Sequence, residues 1–154
     1  FLNFEFILMK KILYILLLLM FTKGTLYGQN SSLQGLLLIG NKTGLESVSR
    51  KQMQEIFRGS QSIWNTNEQV IVVMPSNKAD FADDFASSVL QMTQTALHKY
   101  WLGLVFQGRS NAPVFLNSSA EILEYVKRNQ GAIGIVKMSE KAVPNGMLIA
   151  ISNR

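Results

Sequence analysis

Two rhythms alternate along this chain. Continuous apolar runs predict strands: "LLLIGNK" (Leu36 to Lys42) ends in Gly and Asn, as a buried strand entering a turn would. "QVIVVMP" strings β-branched residues together and reads as a strand buried on both faces. "GAIGIVKM" and "GMLIAIS" are two further strand candidates, and "NAPVFLN" is a loop or a short strand.

Between these runs the apolar positions take helical spacing. In "SRKQMQEIFRG", Ser49 and Gln52 stand at capping-box distance, Met53, Ile56 and Phe57 share a face, and Gly59 sits where a helix stops. Asn77 is placed to cap a helix whose Phe81, Phe85, Val89 and Met92 form the next stripe. In "TQTALHKYWLGLVFQG", Leu97, Tyr100, Trp101, Leu104 and Val105 fill the template at every place, which assigns that face to a core. Ser118 and Glu121 open a fourth helix carrying Ile122, Tyr125 and Val126. Strands alternating with helices predict an α/β domain with a mixed sheet of about four to five strands flanked by about four helices.

The N-terminal stretch follows neither rhythm. From Met9, "MKKILYILLLLMF" places Lys10 and Lys11 ahead of an apolar run from Ile12 to Phe21, and small Gly28 precedes polar Gln29. A membrane span needs roughly 20 apolar residues, about twice that run. The expected organisation is an upstream segment over 1–8, a signal peptide over 9–28 cleaved after Gly28, and one domain over 29–154, located in the periplasm or secreted.

Charge and cysteine content then narrow the classes. Lys10, Lys11 and Lys23 supply three of the 15 basic residues and Glu5 one of the 10 acids, so the part after Gly28 keeps 12 and 9. Its formal charge of about +3 offers little to nucleic acid. The chain has no Cys, so neither a disulfide nor a lipid at the cleavage site is available, and an exported domain of this composition is held by its core.

Candidate chemistry is sparse. Ser110 in "GRSNA" is one residue from a nucleophile elbow, but it follows a helix and precedes Pro113, where the elbow needs a strand before it; His98, the single histidine, lies off the apolar stripe. Asp80, Asp83 and Asp84 open a helix, where acids stabilise the dipole without a metal, and no further oxygen ligands complete a cation site. Trp64 reads as a lid on the core, and Arg50, Lys51 and Arg58 read as a solvated face or a patch for an acidic partner. No cofactor or metal is expected.

The order of the motifs is more specific than any one of them. "IGNK", then "SRKQMQEIFRG" followed by Trp64, then "KYWLGLVFQGRSNAP", then "ILEYVKRNQGAIGIV" closely resembles a segment of the phosphate ABC transporter substrate-binding protein family, over about residues 36 to 137. The resemblance implies a periplasmic-binding-protein fold and a non-catalytic, solute-binding role. Full-length members have two lobes that grip the ligand between them, and the matched stretch is similar to the second lobe. In phosphate-binding members the turn after the second strand resembles an Arg followed by Ser-Gly-Thr. Here that turn reads "MPSNKADF", with no Arg and with Ala79, Asp80 and Phe81 near the place of Ser-Gly-Thr.

Thr43, Ser76, Asn77 and Lys78 are therefore the candidate ligand contacts, although the chemistry of the last three suits a turn and cap at least as well. Two functions stay open. One is an exported domain that binds an oxyanion such as phosphate; the other is a single-lobe interaction or scaffold module, without phosphate binding, that docks a protein partner or a second copy of itself.

Overall fold

The computed structural model describes Lys11, Leu33 and residues 35–152. The expected upstream segment, signal peptide and cleavage position lie outside the described residues, apart from the single residue Lys11. No described helix is long and apolar enough to cross a membrane.

Six strands form one mixed sheet: β1 (Leu36–Gly40), β2 (Ser47–Ser49), β3 (Ile71–Pro75), β4 (Val114–Leu116), β5 (Ala132–Lys137) and β6 (Leu148–Ser152). Their spatial order is β2-β6-β1-β5-β3-β4. The count exceeds the four to five expected because β2 is three residues long with one buried side chain, Val48, too short for a periodic signal. β1 runs antiparallel to both neighbours, whereas β3 is parallel to β4 and β5, and β2 is parallel to β6. Five strands consequently end at one edge of the sheet, called here the carboxyl edge, and β1 ends at the opposite, amino edge.

The helices are α1 (Arg50–Phe57), α2 (Ala82–Leu90), α3 (Gln94–Phe106) and α4 (Ser119–Arg128), with a 3₁₀ turn at Glu140–Ala142. The capping box of α1 forms as its spacing predicts: Ser49 accepts from the Gln52 N–H and the Gln52 side chain accepts from the Ser49 N–H. Gly59 then takes a left-handed φ of 75° past its end. Met53, Ile56 and Phe57 are buried, and Phe57 meets Phe85 of α2 edge-on at 5.5 Å. Each such ring contributes on the order of 1.5–3 kcal/mol by leaving water.

Two helices depart from the sequence reading. Asn77 does not cap α2. Successive turns, with Ala79 N–H donating to Ser76 O and Ala82 N–H to Ala79 O, delay the helix to Ala82, and Phe81 occupies the cap position with no side-chain bond. On α3 only Leu97 and Trp101 are buried; Tyr100 and Leu104 are half-buried and Val105 is exposed. This helix is apolar on nearly every side, so a template match could not decide which side turns inward. Leu102 and Phe106 point outward, Phe106 with 82% of its surface exposed.

The C-terminal end of α2 is held by cations from α1. Arg58 donates to the Leu90 carbonyl at 2.9 Å and Arg50 to that of Ser88 at 3.4 Å, the favourable arrangement for a helix's negative end. α4 packs on β5, β3 and β1, where Gly134 lets Ile122 and Val126 approach the sheet. At the amino edge Trp64 is buried and its indole N–H donates to Gly131 O at 2.8 Å, which makes it the core lid expected.

Candidate functional site

In open α/β sheets, ligands collect outside the carboxyl ends of strands where chain connections depart in opposite directions. Here that place lies between β3, whose connection leads outward to β4, and β5, whose connection leads back across β1 to β6. The turn after β3 carries Ser76, Asn77 and Lys78, and β5 ends in Lys137.

Ser76 is half-buried, while Asn77 and Lys78 are exposed. The Ser76 N–H donates to Leu116 O at 2.7 Å, and its hydroxyl donates to the Asn117 side-chain oxygen at 2.6 Å while accepting the Lys78 N–H at 3.2 Å. Asn117 follows β4 directly, and its own N–H donates to Glu121 at 2.9 Å. Beyond it, the Ser119 hydroxyl accepts the Lys137 N–H at 2.8 Å. These bonds lash the ends of β3, β4 and β5 into one polar rim. Three residues of the rim, Asn117, Ser119 and Lys137, were not among the candidate ligand contacts; Asn117 and Lys137 each stand just after an apolar run, a signal that could have marked them.

The ammonium of Lys137 lies 3.0 Å from Asp84, in the first turn of α2. Asp83 shares that turn and Asp80 precedes it. An incoming anion therefore meets carboxylates and finds one lysine already paired. At about 4 Å, like charges cost on the order of 1 to 4 kcal/mol, depending on effective dielectric. Among the described residues no three His, Cys, Asp or Glu side chains gather as a metal site would require.

The fourth candidate is elsewhere. Thr43 follows β1, whose antiparallel course carries it to the amino edge, so the sheet does not bring it together with Ser76, Asn77 and Lys78. It is buried, and its hydroxyl accepts the Leu45 N–H at 3.3 Å. Ser110 stands between a helix and a strand, the reverse of an elbow, and His98 is exposed and stacked on Phe115 at 4.8 Å.

No protein-family model matches the sequence, and no curated protein does. Solved structures do match. A phosphate transport receptor of the ABC type from Vibrio cholerae aligns with a TM-score of 0.55 at 16% identity, covering 76% of this chain and 46% of that one. PstS from Borrelia burgdorferi aligns at 0.58 and 10% identity, covering 78% and 48%. A Clostridium perfringens structure with bound phosphate, assigned to the phosphate ABC transporter substrate-binding proteins, aligns at 0.54 and 19%, covering 77% and 44%. The chain spans about half the length of the solved structures it matches. At these identities the likeness establishes the fold, which is that of a periplasmic-binding-protein type lobe, as the motif order implied.

Proposed function

We propose that this chain is an exported, non-catalytic binding lobe of the solute-binding type, whose carboxyl edge recognises an oxyanion such as phosphate only jointly with a second surface facing it. The observation that carries this reading is the self-pairing of the rim: Ser76 with Asn117, the Lys78 N–H with Ser76, and Lys137 with Asp84. Donors occupied in this way bind an anion weakly, and a single edge leaves most of the ligand in water, whereas good small-molecule sites bury roughly 70% or more of it. The neighbours in the fold with phosphate in their descriptions support the ligand class.

Calorimetric titration of the chain with orthophosphate tests this. A Kd of about 1 mM or weaker is expected, corresponding to about 4 kcal/mol. A micromolar Kd for the isolated chain would sink the proposal. Export is part of the same reading, and N-terminal sequencing of the secreted protein should begin at Gln29.

A second reading, a self-associating scaffold, draws on Leu102 and Phe106, exposed four residues apart on the outer side of α3. Sedimentation separates the two: a dimer dispersed by Phe106→Glu supports the scaffold, and a monomer at all concentrations excludes it.

A further inference from the structure

The cleft between the C-terminal end of α1 and the last turns of α3 lies apart from the rim, and among the described residues its two arginines form no ion pair. It measures about 270 Å³, and its lining includes Arg58, Arg109, Tyr100, Leu104, Gly59 and the carboxylate-bearing Glu55. Gly59 is closely packed beside it: a Cβ there would stand 2.8 Å from the Trp101 ring. Arg58 is half-buried. One of its terminal nitrogens donates to Leu90 O, but its Nε–H is buried and donates to nothing. Tyr100 holds the backbone beneath it, its hydroxyl donating to Arg58 O at 2.8 Å. Among the described residues neither Arg58 nor Arg109 has a carboxylate within 4.0 Å; Glu55, although in the same cleft, is turned to Lys51.

A half-buried guanidinium and a second, exposed one lining the same small cleft are complementary to an anion with two or more oxygens. Drug-sized pockets run to about 300–1,000 Å³, so a cleft of this size takes a small one. We propose that this cleft is an oxyanion site, for a phosphate-type or carboxylate-type group, separate from the carboxyl edge. Arg109, which is exposed, supplies one half of the clamp and Arg58, anchored through Leu90, the other. The wall carboxylate of Glu55 limits affinity by repulsion.

NMR titration of the chain with inorganic phosphate, and in parallel with acetate, tests this and tells the two chemistries apart. Saturable shifts of the Arg58 Nε–H and of the Gly59 and Ser60 amides are expected with at least one of the two. Arg109→Gln, an exposed position that leaves α2 capped, should weaken binding by roughly fivefold or more, and Glu55→Gln should tighten it by roughly twofold to fivefold. Lys137→Met, at the other edge, should leave these shifts unchanged, so failure here and failure of the carboxyl-edge reading are distinguishable. Absence of saturable shifts with both anions, or an unchanged response in Arg109→Gln, would overturn the assignment.

Discussion

The Lys137 ammonium meets the Asp84 carboxylate at 3.0 Å, joining the last residue of β5 to the first turn of α2 across the candidate rim. Both side chains are close to half exposed, so the pair contributes about 1 kcal/mol or less to stability. Its consequence is for ligands. Asp84→Asn should leave the urea midpoint nearly unchanged and strengthen the calorimetric response to phosphate at the rim, because it removes a repelling charge and frees the lysine. A weaker response would count against the rim as an anion surface.

The two sides of α3 make opposite predictions. Trp101 is buried, and Trp101→Ala should cost about 3–5 kcal/mol in urea unfolding. Phe106→Ser, on the outer side, should change stability by no more than about 0.5 kcal/mol. Equal losses at both positions would mean that Phe106 is covered in solution.

Trp64 contributes a hydrogen bond as well as area. Gly131 O accepts from the indole N–H and also from Ile71 N–H at 3.1 Å, so Trp64→Phe removes one donor without orphaning the carbonyl. The expected cost is therefore about 1 kcal/mol for the hydrogen bond, without the larger penalty of an unpaired buried group, plus about 1–2 kcal/mol for the smaller ring in a buried site. Thermal unfolding of the variant measures it.

Gly131 tolerates no side chain. Its φ is 80°, and a Cβ would collide with the Gln69 carbonyl oxygen, a backbone atom that cannot swing aside. Gly131→Ala should destabilise by at least about 2 kcal/mol, from strain and displacement of the β3 entry together. A variant as stable as the parent would contradict the packing of these two segments.

On α4, Lys127 hydrogen-bonds Glu124 at 2.9 Å and holds its carboxyl below the usual glutamate range, with Coulombic help first from Lys127 and then from Arg128. A group whose pKa is lower in the folded state stabilises above its unfolded value and loses that contribution as pH falls through the folded one. The effect is small because the site is exposed. Carbon-detected NMR should show Glu124 titrating at lower pH than in Lys127→Met, and identical midpoints in the two proteins would remove the assigned cause.

Local structure was legible wherever neighbours in sequence suffice. The Ser49–Gln52 box, the left-handed stop at Gly59, the buried stripe Met53, Ile56 and Phe57, and the apolar runs of β1, β3 and β5 depend on spacing alone, and all appear as read. The candidate site was half legible. The turn Ser76 to Lys78 does stand at the carboxyl edge, but Asp84 and Lys137 are 53 positions apart and only the parallel course of β3 and β5 makes them partners.

What the chain's own pattern could establish was thus the α/β class, the order of its elements and the turn on which a ligand surface could be built, because hydrophobic period and capping chemistry act within a few residues. Strand direction and helix orientation were decided by packing. An almost uniformly apolar α3 can face the core with either side until α2 and β4 occupy their places. The antiparallel set of β1 against β5 sends Thr43 to the amino edge, away from Ser76, because pairing across the sheet, and not adjacency along the chain, determines which ends meet.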